Sequence, residues 1–304
     1  MKNLTKIIIA LLGMIYTSSC DYVSQPLKPQ SHTNNNGHDS NTVYKNILVE
    51  DYTGATCVNC PPAGAELDSL ISMYGNRIVP LSVNAGNFAT PAPTYSLNLQ
   101  SAVGDAYDAF FNMSNTGNPC GMVNRKGNPL SSKYLLYTQW AATVQNIIQN
   151  DTAFIKLELS TTFDTTSRAL SVNVKSTFLK SLSGTYNLVV LFTQDSIIGP
   201  QKSSTLGEIP NYNHRFVLRD AITTNWGDAL VSSGSNTGQV VTKSYNYNVA
   251  ITYPAAGTTN NPGNKPPTAC DFKTCSVVAY IYDATTSSPT QYEVFQSATK
   301  KIYP

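Results

Sequence analysis

The chain has 304 residues and a formal net charge of +2, with 41% apolar and only 12% charged residues. That composition supports a globular core and leaves room for two domains. It offers no basic stripe for nucleic acid and no acidic tail. The 18 tyrosines and the frequent Asn, Thr and Ser suit β-rich proteins outside the cytosol.

Residues 1–20 read as an export signal outside the fold. Lys2 and Lys6 supply a basic start, and Ile7 to Tyr16 form an apolar run too short to cross a bilayer. Thr17-Ser18-Ser19 before Cys20 resemble the cleavage box of bacterial lipoproteins, where the Cys becomes a lipid-bearing N-terminus. Ordinary signal cleavage is the alternative. Acyl chains add roughly 0.8 kcal/mol of membrane affinity per buried CH2, so a lipid at Cys20 would anchor the protein in the envelope. Residues 21–44 carry Pro26, Pro29 and Asn34-Asn35-Asn36 with few apolar residues, and read as a flexible tether. A coil of that length reaches roughly 25–30 Å. His32 and His38 in it read as solvated, because no third metal ligand is near.

Ile47-Leu48-Val49 is an apolar run expected of a strand buried on both faces. Cys57-Val58-Asn59-Cys60 follows, then Pro61-Pro62, which suit a first helical turn. Leu67, Leu70, Ile71 and Tyr74 make one helical stripe, stopped by Gly75-Asn76. Ile78 to Val83 read as a strand, Asn84 to Pro93 as a loop, and Leu97 to Met113 as mostly helical. Pro119 precedes a short strand from Gly121 to Arg125. Tyr137, Trp140, Val144, Ile147 and Ile148 mark another helix, ending near Asn150. This order predicts a thioredoxin-like α/β domain over 45–151. Pro119 at that place in such a domain would be cis and would wall the redox site.

From Phe154 the period becomes two. Ile155, Leu157 and Leu159 alternate with polar residues, as do Leu170, Val172 and Val174. Tyr186–Thr193, Phe216–Leu218, Val240–Val249, Val277–Tyr282 and Tyr292–Gln296 continue the pattern, predicting an all-β antiparallel sandwich over 152–304. Pro254 to Pro267 form a long loop. A Cys270–Cys275 disulfide would clip a hairpin after it, contributing about 2 kcal/mol.

A dithiol attacks a substrate disulfide through one thiolate, and the second thiol resolves the mixed disulfide. Cys57, the N-terminal member, is the candidate nucleophile, and Cys60 the resolving thiol. The alternative is a structural Cys57–Cys60 disulfide. Cys120, next to Pro119, reads as a buried small side chain, with a three-thiol site as the sharper alternative. No histidine is placed to complete a zinc site with these thiols, and no cofactor is implied. His214 is expected to pack or hydrogen-bond locally. No nucleophile elbow, zinc-binding helix or catalytic carboxylate pair stands out.

Glu50-Asp51-Tyr52-Thr53-Gly54 leading into Cys57-Val58-Asn59-Cys60-Pro61 resembles the outer-membrane-protein-28-related lipoproteins. Gly117-Asn118-Pro119 running on to Asn124-Arg125 is similar to their second motif, and Asn213-His214-Arg215-Phe216-Val217-Leu218-Arg219 to a strand of their β domain. The resemblance covers most of 45–304. It implies an exported, envelope-associated protein with a thioredoxin-like domain joined to a β-sandwich. It also implies that Asp51, six residues before Cys57, lies behind the dithiol and takes up protons during resolution. The expected function is thiol–disulfide exchange on exported proteins or with a redox partner, from a lipid anchor at Cys20 in the outer membrane. The alternative is a non-catalytic surface or periplasmic binding lipoprotein.

Overall fold

A computed structural model of the chain describes residues 43–253 and 267–304. The signal peptide, the Cys20 anchor, His32, His38, nearly all of the tether and most of the Pro254–Pro267 loop lie outside the described residues.

The first strand, β1 (Ile47–Thr53), is buried from Ile47 to Tyr52 and runs parallel to the equally buried β2 (Ile78–Asn84). Between them α1 (Cys60–Tyr74) buries Cys60, Ala63, Leu67 and Leu70, the face the apolar spacing marked. Helix α2 (Ala102–Phe111) is shorter than the expected 97–113. Ser101 is extended, and its hydroxyl accepts the Gly104 N–H at 3.2 Å, which sets the start. Asn112, left-handed at φ 56°, ends it, and α3 (Met113–Thr116) adds a single turn.

Strand β3 (Cys120–Val123) is antiparallel to β1 and stops before Arg125, because Asn124 and Arg125 both turn to φ 48°. Asn124 then accepts the Leu48 N–H on its side-chain oxygen at 2.8 Å. After β4 (Leu135–Leu136), α4 (Trp140–Asn150) joins α1 on one face of β1, β2 and β3, around Ile47, Val49, Ile78 and Val123. Helix α2 covers the opposite face.

The later strands are β5 (Ile155–Phe163), β6 (Ala169–Phe178), β7 (Tyr186–Gln194), β8 (Ile197–Ser203), β9 (Gly207–His214), β10 (Val217–Ala221), β11 (Asp228–Val231), β12 (Val240–Asn248), β13 (Thr252–Tyr253), β14 (Thr268–Ala269), β15 (Cys275–Asp283) and β16 (Val294–Lys301). The chain is mostly β, with a mixed sheet and a few helices. The main sheet has nine strands, in the order β16-β15-β7-β10-β2-β1-β3-β4 with β11 beside β7. Strands from both sides of the expected boundary at 151/152 share it. Val217 of β10 faces Ser82 of β2 in parallel, and Ser82 N–H donates to the Phe216 carbonyl at 2.9 Å.

The physical reason lies in β7 and β15, which are apolar on both faces and need a cover on each. Val189, Leu191, Val278 and Tyr280 point into the core under α2. Leu188, Val190, Phe192, Val277 and Ala279 point the other way, onto the three-stranded antiparallel sheet β12-β6-β5. The two-layer β packing expected over 152–304 is present, but one of its layers is the central sheet itself. The sheet curls until Val294 N–H of β16 reaches the Asn124 carbonyl at 2.8 Å. Strands β8 and β9 stand apart as a two-stranded hairpin.

Candidate functional site

At the end of β1 the chain turns twice. Cys57 N–H donates to the Gly54 carbonyl at 3.0 Å, and Cys60 N–H to the Cys57 carbonyl at 3.3 Å. The turns bring the sulfurs together as a Cys57–Cys60 disulfide, with the Cα atoms 5.4 Å apart. Gly54 is required for this path: a Cβ there would meet the Phe88 backbone at 2.3 Å. Helix α1 starts at Cys60 with prolines in its first turn, so Cys57 lies outside the helix.

Both cysteines are only 2% exposed. The β8–β9 hairpin covers them. Lys202 N–H donates to the Ala55 carbonyl and Ser204 N–H to the Val58 carbonyl, each at 2.9 Å. The Gln201 amide donates to the Cys57 carbonyl at 2.9 Å and to the Gly54 carbonyl at 3.2 Å. The Tyr212 hydroxyl closes over Gly64, where a Cβ would come within 2.7 Å of it.

Asp51 lies opposite Ser82 on β2 and Gly121 on β3. Its carboxyl lines a cavity of about 40 Å³ shared with Ser82, Asn84, Tyr212 and His214. That volume holds about one or two waters. Asp51 Oδ1, Asn84 Oδ1 and His214 Nε2 are buried there without a protein partner among the described residues. Burial pushes the Asp51 carboxyl up to about 7, because the charged form loses its hydration. Burial likewise pushes the His214 imidazole down to about 4, against a hydrogen bond to the Pro200 carbonyl that favours its charged form.

The Asn118–Pro119 peptide is cis. Tyr52 faces Cys120 across β1 and β3, so the register places Pro119 beside Thr53, at the edge of the CxxC loop. Asp51, Pro119, Cys57 and Cys60 therefore gather at one end of β1. Cys120 points to the other face, into the core under α2, with its sulfur 3.5 Å from the Asn118 side-chain oxygen. Burial pushes its thiol far up.

The disulfide expected between Cys270 and Cys275 is not formed in this structure. Both are buried free thiols with their sulfurs 3.5 Å apart, beyond the roughly 2.05 Å of a covalent bond. The Cys275 thiol instead hydrogen-bonds the Asp271 carbonyl at 3.2 Å. This pair belongs to the core between the two sheets, strands away from the dithiol.

Sequence reasoning missed Gln201; His214 packs against Tyr212 and hydrogen-bonds the Pro200 carbonyl locally, as expected, and it also lines the cavity beside Asp51. Only the Asn213–Arg219 motif pointed toward this region. It also missed that Glu50 and Arg125, each within a noted motif, meet as a buried ion pair. Among the described residues no group of three or more His, Cys, Asp or Glu could hold a metal ion, and no helix is long and apolar enough to cross a membrane.

The family model described as outer membrane protein Omp28 matches residues 104–260, just over half of the chain. Among solved structures, HBP35 of Porphyromonas gingivalis superposes with a TM-score of 0.60 at 15% identity, over 86% of this chain and 76% of that one. At that identity the likeness concerns the fold alone. A protein from Agrobacterium tumefaciens reaches a TM-score of 0.45 at 13% identity, over 86% of this chain and 96% of its own. A search of curated proteins finds no match.

Proposed function

This chain belongs to the outer membrane protein Omp28 family, and on that premise we propose a cell-envelope protein whose thioredoxin-like module exchanges disulfides with exported polypeptides. The observation that carries the reading is the Cys57–Cys60 disulfide, set between a buried strand and a helix with a buried carboxyl, Asp51, at the same strand end. The parallel β1 and β2 with α1 between them, antiparallel β3 and the cis Pro119 at its start support the thioredoxin-like part of the reading.

In the oxidised form a substrate thiolate attacks the Cys57 sulfur. The Cys57–Cys60 bond breaks, and Cys60 leaves as a thiolate. A second substrate thiolate then displaces Cys57, so the substrate dithiol is oxidised and the protein disulfide reduced. Asp51, with its carboxyl near 7 at the end of the strand that leads into the dithiol, supplies the proton that the departing Cys60 thiolate takes up. Lipidation at Cys20 completes the proposal as the anchor to the outer membrane.

Insulin reduction in the presence of dithiothreitol tests the chemistry. Wild type should outrun Cys57→Ser by more than tenfold, and Cys60→Ser should accumulate a mixed disulfide with insulin. Equal rates for wild type and Cys57→Ser would overturn the reading. The burial of both cysteines favours one rival, a binding lipoprotein in which the disulfide is a structural clip. Equal rates together with a lower melting temperature for Cys57→Ser would establish that rival.

A further inference from the structure

The CxxC loop turns four backbone carbonyls outward, at Gly54, Ala55, Cys57 and Val58, and the chain's own hairpin takes all four. Two of the donors are main-chain N–H groups, Lys202 near the end of β8 and Ser204 in the turn that follows it. The third is the Gln201 amide, 2% exposed, which bridges both ends of the loop. Loop and hairpin thus meet through main-chain carbonyls on the loop side, a contact that reads backbone and not side-chain identity.

Away from the CxxC loop the hairpin is seated through Ile197, which packs with Leu99 and Val217, and through Glu208, which accepts the Tyr95 hydroxyl at 2.9 Å. It pairs only within itself and is not a strand of the nine-stranded sheet. Its two roots turn through left-handed residues that are not glycine, Ser196 at φ 59° and Phe216 at φ 54°. Leu206, at the tip, is 71% exposed.

We propose that the β8–β9 hairpin is a tethered lid seated on a docking edge made by these four loop carbonyls, and that an extended, cysteine-bearing polypeptide takes its place when it reacts with Cys57. Gln201 is the latch. The proposal rests on the thiol-exchange reading for its substrate class, but the lid itself is tested separately. A residue only 2% exposed offers a reducing thiol little access without movement of the cover, so the reduction rate reports opening.

The test uses the oxidised full chain. Reduction of Cys57–Cys60 is followed by acid quench, alkylation and mass mapping of the two cysteines, with dithiothreitol or a reduced unfolded peptide as reductant. Gln201→Ala removes the latch, and Ser204→Pro removes one main-chain donor. Each should speed reduction by both reagents about tenfold, since each deletes hydrogen bonds that hold only the closed state. In wild type the Lys202 and Ser204 amides should exchange hydrogen much faster than Val190 and Val278 of the central sheet.

Reduction at the wild-type rate in both variants, or Lys202 and Ser204 amides as slow as Val190, would overturn the lid. Acceleration with dithiothreitol but not with the peptide would overturn the docking edge. The exchange measurement needs no variant to fold. Failure of the insulin assay would leave these single-turnover rates untouched, so the two readings fall independently.

Discussion

Arg125 holds both carboxylate oxygens of Glu50, through Nε at 2.8 Å and Nη2 at 2.7 Å, with both side chains at 0% exposure. The pair ties the strand that leads into the dithiol to the segment that follows Pro119. The rings of Tyr107, Phe111 and Tyr280 surround the guanidinium at 4.6, 4.9 and 5.0 Å. Glu50 holds the Arg125 guanidinium in its charged form despite the burial.

Breaking this pair leaves one buried charge without its partner. Arg125→Met and Glu50→Gln should each cost about 3–5 kcal/mol in urea unfolding. The Glu50→Gln/Arg125→Met double variant should cost clearly less than their sum. Additive losses would show that the two groups act separately.

Asp51 and His214 should give stability opposite pH slopes. The Asp51 carboxyl is raised to about 7 in the fold, so the native state binds its proton more tightly, and stability falls as pH rises from about 4 to about 7. The His214 imidazole is lowered to about 4, so the unfolded state binds its proton more tightly, and stability falls as pH drops from about 6.5 toward 4. Between about pH 4 and 6.5 the two slopes oppose each other. Asp51→Asn should be more stable than wild type at pH 8 by up to about 4 kcal/mol, and the gain should vanish near pH 4. His214→Gln should lose the acid-side decline. Urea midpoints at pH 4, 6 and 8 check both, and a gain in Asp51→Asn that is the same at every pH would refute the burial account.

Cys270 and Cys275 are placed to close a bridge on oxidation. The hydrogen bond with Cys275, and then the Arg168 and Arg219 guanidinium groups, pull the Cys270 thiol below its usual range, which favours the thiolate that starts exchange. Protein isolated under oxidising conditions should carry a Cys270–Cys275 disulfide by peptide mapping. Cys275→Ser should then lose about 2 kcal/mol of stability. Two free thiols in that material would contradict this.

Cys120 should be inert in the native state. Its side chain is at 0% exposure, and desolvation holds the thiol protonated. In Cys57→Ser/Cys60→Ser protein, maleimide should reach Cys120 no faster than the chain unfolds. Rapid labelling, or a trapped mixed disulfide at Cys120, would restore the three-thiol site.

Much of the site could be read from the residue order. The apolar run Ile47–Val49, the CxxC and the stripe Leu67–Tyr74 became β1, the loop and α1, because burial on both strand faces and one helix face leaves a periodic trace. The lid left no such trace. The buried face of β8 is Ile197, Gly199, Gln201 and Ser203, a single apolar anchor followed by polar residues that, buried by hydrogen bonding, look the same in sequence as solvated ones. The helix expected from Leu97 was cut to Ala102 by a cap whose partner, Gly104 N–H, is set only by the backbone turn.

Local periodicity and spacing therefore determined which segments are strands and helices and where the two sulfurs meet. Tertiary structure alone decided that β7 and β15 join β2 in one curled sheet, that Arg125 meets Glu50, and that Gln201 hydrogen-bonds the Cys57 carbonyl. Those three outcomes pair residues between 75 and 144 positions apart. Such contacts form only once loop closure has been offset by burial across the whole sheet.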